Sequence, residues 1–180
     1  MQIRIQFGTL KGKILRYSDN HQARPTLARA RDVLFNWLYR CDNKRCLDLF
    51  AGTGVLGLEA LSLGAAFVDF IDNNNLHTKS IAEHLKNVKK NDCAMVHHSD
   101  ALEWLAKNSG LYDLIFLDPP FRQGWLEKIL LSDELKKISH PNTLIYLEAE
   151  RGWTPPEFFK ITKQKNLGDV SIYLVTPIID

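Results

Sequence analysis

The segment Asp118-Pro119-Pro120-Phe121 combines the residue types with the clearest chemical potential in this sequence. It directly follows the apolar run 114–117, which predicts a buried strand. A carboxylate, two rigid prolines and an aromatic ring at a strand end can accept hydrogen bonds from an amino group and stack on a flat ring. Chemistry at the exocyclic nitrogen of a nucleobase requires both. The alternative is structural: a strand end followed by an Asp cap and a proline in the first turn of a helix.

A glycine-rich segment lies upstream of this corner. Gly52, Gly54 and Gly57 match the pattern G-x-G-x-x-G between an apolar strand that starts near Cys46 and a helical stretch. Such glycines let the backbone approach a ligand closely and turn sharply into a helix. Asp72 ends the next apolar strand about 20 residues after Gly52, where a carboxylate can bind both hydroxyls of a ribose. The combination predicts a ligand that contains adenosine.

Two further acidic residues bear on which adenosine ligand this is. Asp48 lies four residues before Gly52, and a negative side chain there would repel the pyrophosphate of a nicotinamide cofactor. It would suit the amine and the sulfonium of S-adenosylmethionine. Asp100 follows a third strand-like run and could bind the adenine amino group. The structural alternatives are a loop aspartate that caps a turn for Asp48 and a helix N-cap for Asp100.

The elements that must position these residues begin with a hairpin and a helix. Residues 2–8 and 13–17 predict two strands joined by a turn, and 18–24 predict a polar loop. A helix that Thr26 caps is expected to run from there to about Cys41, with its apolar face in the core.

From residue 44 onward, predicted strands and helices alternate. This pattern favours an α/β fold with a mainly parallel sheet that is covered by helices on both faces, and it places the acidic landmarks at the carboxyl ends of strands. The last two strands predict an antiparallel hairpin at the sheet edge. The predicted strands lie near 46–50, 66–71, 94–98, 113–117, 143–148, 158–164 and 169–176, and the helices near 54–64, 75–90, 101–108 and 124–137.

The charges are unevenly distributed along the chain. Residues 1–45 hold ten Lys or Arg against three Asp, a net charge of +7, whereas the remainder holds thirteen basic and eighteen acidic residues, a net charge of −5. We interpret 1–180 as a single domain with a basic arm, 1–45, for RNA contact and a catalytic core, 46–180. A solvated charged face is the alternative. The candidate phosphate contacts are Lys11, Lys13, Arg24, Arg29, Arg31 and Arg122.

The composition fits a globular protein of 180 residues, 45% of them apolar. No apolar run is long enough to span a bilayer, and the N-terminus lacks the form of a signal peptide. Cys41, Cys46 and Cys93 include no C-x-x-C pair and fit small core residues in a reducing cytosol. The histidines lack metal-ligand spacing. We expect a cytoplasmic monomer that binds neither a metal nor a membrane.

The motifs together resemble those of a known class of enzymes. Residues 48–54, Asp72, Asp100 and the corner 118–121 are similar to the class I S-adenosylmethionine-dependent amino-methyltransferases. The N-terminal segments 8–13, 24–26 and 34–38, with Arg29 and Arg31, resemble the bacterial small-subunit (16S) ribosomal RNA guanine-N2 methyltransferases. The resemblance covers nearly the whole chain, from Ile3 to about Leu174.

This resemblance implies a Rossmann-like class I methyltransferase fold with seven strands, S-adenosylmethionine as cofactor and ribosomal RNA as substrate, either naked or within a small-subunit assembly intermediate. The implied reaction is methylation of the N2 amino group of a guanine. The implied catalytic residues are Asp118, Pro119, Pro120 and Phe121. The implied cofactor residues are Asp48, Phe50, Ala51, Gly52, Thr53, Gly54, Asp72, Asn73, Asp100, Ala101 and Asp118.

Other functions remain open from the sequence. A nicotinamide-dependent oxidoreductase could use the same glycine loop, and a non-catalytic RNA-binding module could keep the same fold. An amino-methyltransferase could also act on another RNA or on adenine N6 of DNA. DNA enzymes with such a corner usually carry a separate target-recognition domain, for which 180 residues leave no room.

Overall fold

The N-terminal part of the chain is a hairpin followed by a helix. In this computed structural model, which describes residues 2–17 and 25–178, strands β1 (Gln2–Arg4) and β2 (Ile14–Arg16) pair in antiparallel fashion. Helix α1 (Pro25–Leu38) begins at a proline and ends before Tyr39, whose φ of 58° is left-handed, so it stops short of the predicted end. The predicted loop 18–24, including Arg24, lies outside the described residues.

The rest of the chain alternates between strands and helices, as predicted. The strands are β3 (Arg45–Asp48), β4 (Phe67–Asp72), β5 (Ala94–His98), β6 (Leu114–Leu117), β7 (Leu144–Glu150), β8 (Phe159–Leu167) and β9 (Val170–Pro177). The helices are α2 (Val55–Ser62), α3 (Asn75–Asn87), α4 (Ala101–Lys107), α5 (Trp125–Leu130) and α6 (Asp133–Lys137).

These seven strands form one sheet in the order β5-β4-β3-β6-β7-β9-β8. Neighbouring strands are parallel from β5 to β7, whereas β9 is antiparallel to both β7 and β8. The structure therefore confirms the predicted mixed sheet with a hairpin at one edge. The strand order reverses between β3 and β6, and ligands of open α/β sheets bind at such a reversal.

Helices cover both faces of the sheet. Leu34 of α1, Leu58 of α2 and Ile81 of α3 belong to a core on one face, which the hairpin also joins. Leu105 of α4 and Ile129 of α5 belong to a second core on the opposite face. This three-layer arrangement is the predicted one.

One predicted helix proved to be two. Residues 124–137 were expected to form a continuous helix, but α5 ends at Leu130 and α6 starts at Asp133. The Ser132 hydroxyl accepts a hydrogen bond from the Leu135 N–H as an N-cap and donates one to the Ile129 carbonyl. A single serine thus ends one helix and begins the next, which apolar periodicity alone does not reveal.

A buried carboxylate joins the hairpin to the helices. Glu59 of α2 is 0% exposed and accepts hydrogen bonds from the backbone N–H groups of Gln6 and Phe7 at 2.8 and 3.0 Å. The Arg31 guanidinium lies 3.4 Å from Glu59 and also donates to the Gln6 side chain and the Arg4 carbonyl. Burial raises the pKa of Glu59 and lowers that of Arg31, and their mutual attraction opposes both shifts. The pair therefore fixes the hairpin against α1 and α2.

Beside this pair, the hairpin approaches α2 so closely that only glycine fits. Gly8 has a φ of +68°, and a Cβ there would lie 1.9 Å from the Ser62 carbonyl oxygen. The Ser62 hydroxyl accepts a hydrogen bond from the Leu10 N–H and donates one to the Phe7 carbonyl. The docking of the hairpin is thus set by backbone contact as well as by charge.

The part of the chain that the structure describes contains neither a candidate membrane-spanning helix nor a candidate metal site. No helix there is long and apolar enough to cross a membrane. No group of three or more His, Cys, Asp or Glu side chains there could hold a metal ion.

Replacing Gly8 by alanine should lower the free energy of unfolding by more than the strain of a left-handed φ alone would, because the added Cβ also clashes with α2. Gly168 is a matched control, since its φ is +65° and nothing lies within 4 Å of an added Cβ. We expect Gly168→Ala to lower the free energy of unfolding by about 1–2 kcal/mol and Gly8→Ala to lower it by about 3 kcal/mol or more. Urea unfolding measures both, and equal losses would contradict the close approach.

Candidate active site

The carboxyl ends of the parallel strands surround one cleft of about 390 Å³. Strands β3, β4, β5, β6 and β7 all contribute their ends or the loops that follow them. The structure brings most of the predicted site residues together in its wall: Phe50, Gly52, Asp72, Asn73, Asp100, Ala101, Asp118, Pro119, Pro120 and Phe121. The remaining predicted cofactor residues, Asp48, Ala51, Thr53 and Gly54, do not line this cleft.

The glycine loop owes its shape to three positions that exclude a side chain. Gly52 and Gly54 have left-handed φ values of 51° and 72°. A Cβ at Gly57 would lie 2.2 Å from the ring of Phe70 in β4, so the third glycine lets α2 pack closely on the sheet. The loop therefore turns sharply and presents the Gly52 backbone to the cleft.

Asp72 holds this loop in place from the neighbouring strand. Its Oδ2 accepts a hydrogen bond from the Gly52 N–H at 2.7 Å, and its Oδ1 accepts one from the Asn74 N–H at 2.8 Å. The His77 Nδ1 lies 3.1 Å from the same Oδ1. A carboxylate has about four acceptor positions, and these three contacts leave about one of them for a hydroxyl group in the cleft.

Asp48 lies beneath the cleft rather than on its surface. It is 2% exposed, and its Oδ2 accepts a hydrogen bond from the Gly57 N–H at 3.1 Å. Burial raises the pKa of Asp48 from 3.8 to about 7, the Gly57 N–H opposes this shift, and the negative charge of Asp72 adds to it. Asp48 thus shapes the glycine loop from below the cleft, and it carries its full negative charge only above about pH 7.

The other predicted cofactor residues differ in their exposure to the cleft. Asp100 caps α4, because its Oδ1 accepts hydrogen bonds from the Leu102 and Glu103 N–H groups. Phe50 lines the cleft and packs edge-on against Trp125. Ala51 is buried and its N–H donates to the Ile71 carbonyl of β4, whereas Thr53 is half-buried and its carbonyl accepts a hydrogen bond from the Tyr17 hydroxyl at 2.6 Å.

The corner 118–121 separates the first cleft from a second one. Asp118 lines the first cleft, and Phe121 lines both. The second cleft, of about 370 Å³, is also bordered by Arg122, Glu150 and Trp153. A flat ring placed against Phe121 would therefore lie where the two clefts meet.

Two titratable residues of the first cleft were missed from the sequence. His77 lies in the first turn of α3, where its ring contacts Asp72. Glu148 lies in β7, is 4% exposed, and accepts a hydrogen bond from the Tyr146 hydroxyl at 3.0 Å. A glutamate inside an apolar strand is uncommon, and that signal could have identified Glu148.

The candidate RNA contacts fall into two groups. Lys11, Lys13, Arg29 and Arg122 are exposed, and Arg122 forms an ion pair with Glu150. Arg31 is 6% exposed and is held by Glu59, so the structure gives it a role in docking the hairpin rather than a place on the surface. Charge counted along the sequence does not distinguish these two environments.

The sheet order, the glycine loop and the acidic strand ends define a class I methyltransferase fold. The family model described as Conserved hypothetical protein 95 matches residues 3–176. The chain belongs to this family, which includes the relatives named ribosomal RNA small subunit methyltransferase D.

Three comparisons illustrate the similarity. The methyltransferase D of Buchnera aphidicola subsp. Acyrthosiphon pisum is 36% identical over 179 residues, which cover 96% of this chain and 92% of that protein. The Escherichia coli K12 protein of the same name is 36% identical over 177 residues, 96% and 89% of the two chains. The solved structure of the Escherichia coli protein yhhF superposes with a TM-score of 0.88 at 35% identity and covers both chains fully.

The buried Asp48 predicts a pH-dependent stability. Its pKa is about 7 in the folded protein against an ordinary value of 3.8, so the unfolded chain releases this proton first as the pH rises. Asp48 therefore destabilises the fold increasingly between about pH 4 and pH 7, and the penalty persists above pH 7. We expect Asp48→Asn, relative to wild type, to be more stabilising at pH 8 than at pH 5.

Urea unfolding of both proteins without cofactor, at the two pH values, measures this difference. The amide can still accept the hydrogen bond from the Gly57 N–H, so the variant should keep the loop geometry. A difference between variant and wild type that is the same at pH 5 and pH 8 would show that Asp48 does not titrate in this range.

Proposed function

We propose that this protein uses S-adenosylmethionine to methylate the exocyclic N2 amino group of a guanine in small-subunit ribosomal RNA. One observation carries the proposal: the corner 118–121, suited to hold an amino group, lies in the same cleft as the glycine loop. The names of the relatives support small-subunit ribosomal RNA as the substrate.

The cleft fits the cofactor by its chemistry. Asp72 offers an acceptor position for a ribose hydroxyl, and the cap at Asp100 engages Oδ1, which leaves Oδ2 for the adenine amino group. Phe50 offers an apolar surface, and Asn73 and Ala101 complete the wall. The negative charges of the strand ends favour a ligand that carries an amine and a sulfonium.

The corner would position the nucleophile. S-adenosylmethionine supplies a methyl group that is activated by its sulfonium. The Asp118 carboxylate and the Pro119 carbonyl would accept hydrogen bonds from the two N–H groups of the base, which turns the nitrogen lone pair toward that methyl group. The new C–N bond forms as the S–C bond breaks, and the nitrogen then loses one proton to Asp118 or to water. Stacking on Phe121 would contribute ~1–3 kcal/mol.

The exposed basic residues would hold the RNA backbone. Lys11, Lys13 and Arg29 belong to the arm, and Arg122 lies directly after the corner. We include Arg24 from the sequence and leave Arg31 out because Glu59 holds it in the interior. The target base must be unpaired or leave its helix to reach the corner. We propose that the enzyme acts in the cytoplasm as a monomer, on naked RNA or an assembly intermediate.

Asp118→Ala should abolish methyl transfer while nearly preserving cofactor affinity. The ribose and adenine contacts are assigned to Asp72 and Asp100, so the loss falls on the nucleophile, and misplacement of a reacting group costs about 10²-fold or more. Transfer of tritium from labelled cofactor to small-subunit RNA measures activity, and calorimetry with S-adenosylhomocysteine measures affinity.

Phe121→Ala should reduce methyl transfer less than Asp118→Ala does, because the ring only helps to hold the base. Mass spectrometry of the RNA nucleosides identifies the product. Normal turnover by Asp118→Ala, or a methylated nucleoside other than N2-methylguanosine, would refute the proposed reaction.

Exchange of the arm lysines tests RNA binding. Each phosphate contact contributes roughly 0.7 to 0.9 to the slope of log affinity against log salt. The double variant Lys11→Ala/Lys13→Ala should therefore lower that slope by about one to two units without changing cofactor affinity. Lys136→Ala/Lys137→Ala in α6, on the opposite face of the sheet, is the matched control. Equal slopes of log affinity against log salt for wild type and both double variants would show that the arm does not contact phosphates.

A further inference from the structure

A second carboxylate lies beside the catalytic corner. Strands β6 and β7 are parallel and in register, with Leu117 opposite Leu147, so the next positions are Asp118 and Glu148. Adjacent strands lie about 4.8 Å apart. Both residues line the same cleft, and the side chain of Glu148 is held by the Tyr146 hydroxyl at 3.0 Å.

The pair matches one edge of guanine. The Watson–Crick edge of guanine presents the N1–H and the N2 amino group side by side, both as donors. Adenine presents its amino group beside an N1 lone pair, which is an acceptor. A carboxylate accepts hydrogen bonds and cannot donate them when ionised. Two neighbouring carboxylates therefore suit guanine, whereas adenine would place a lone pair against one of them.

We propose that Glu148 accepts the N1–H of the target guanine while Asp118 holds its N2 amino group, and that Glu148 thereby selects guanine over adenine. This inference rests on the proposed function, since it concerns the base in that same cleft. A site built to hydrogen-bond a donor strongly rejects an analogue that lacks it, and the N1 lone pair of adenine would face the Glu148 carboxylate. Because Glu148 is 4% exposed, water would screen this repulsion little.

A substrate analogue distinguishes the role of Glu148 from that of Asp118. The probe is an RNA fragment that contains the guanosine methylated by the wild-type enzyme, with that guanosine kept or replaced by 2,6-diaminopurine riboside. Diaminopurine keeps the 2-amino group but has a lone pair at N1. We expect the wild-type enzyme to prefer guanosine in kcat/KM by roughly 10- to 100-fold.

Glu148→Gln should reduce this preference at least tenfold, because the amide can accept from guanine or donate to diaminopurine. Glu150→Gln, two residues further along β7, is the matched control and should leave the preference as in wild type. Asp118→Asn should slow both substrates alike. The assignment would be overturned if Glu148→Gln kept the preference for guanosine, or if Glu150→Gln lost it instead.

A binding measurement on the wild-type protein needs no variant. With S-adenosylhomocysteine present, the same fragment with inosine at the target keeps the N1–H, whereas the fragment with adenosine does not. We expect inosine RNA to bind about tenfold more tightly, and equal affinities would overturn the inference. Methylation of guanosine N2 with no such discrimination would refute this inference alone, whereas no N2-methylguanosine at all would refute the proposed function and the inference with it.

Discussion

The parallel strands of the sheet force several carboxylates to share one edge. Asp48, Asp72, Asp118 and Glu148 end four of the five parallel strands or lie close to their ends. A neighbouring negative charge raises the pKa of a carboxyl group, and Asp72 contributes in this way to the raised pKa of Asp48. Backbone N–H groups and the Tyr146 hydroxyl compensate part of this cost. A ligand with positive charge would compensate the rest, so the fold itself favours a cationic cofactor over a pyrophosphate.

The N-terminal hairpin is joined to this edge by contacts of buried polar side chains. Glu59 and Arg31 fix the hairpin to α1 and α2 through hydrogen bonds and an ion pair. At its other end, the Tyr17 hydroxyl donates to the Thr53 carbonyl within the glycine loop. Removal of one partner from a buried charged pair leaves the other uncompensated. The hairpin and the glycine loop are therefore parts of one packed unit, and displacement of the hairpin would disturb both.

Patterns of apolar residues and strand-end acids were sufficient to predict the architecture. The alternation of strands and helices, the terminal hairpin and the clustering of Asp72, Asp100 and the corner follow from periodicity and from the geometry of parallel sheets. What the sequence could not give was the environment of individual polar side chains. In the sequence, Arg31 cannot be distinguished from the exposed arginines of the arm, and only the fold shows that α2 places Glu59 beside it. Likewise, only the fold shows that Asp48 is buried and accepts a hydrogen bond from the Gly57 N–H. Burial of such groups depends on contacts between distant segments, which no local pattern records.

Aromatic packing connects the hairpin to Glu148 along one face of the sheet. Phe7 of the hairpin lies 5.9 Å from Phe35 of α1, which lies 6.1 Å from Phe116 of β6. Phe116 in turn lies 6.4 Å from Tyr146, whose hydroxyl holds Glu148. Side chains alternate along a strand, so Tyr146 and Glu148 of β7 face the same side, and Asp118 lines the same cleft as Glu148. The hairpin and α1, which carry proposed RNA contacts, therefore lie on the same face of the sheet as the carboxylates that are proposed to contact the base.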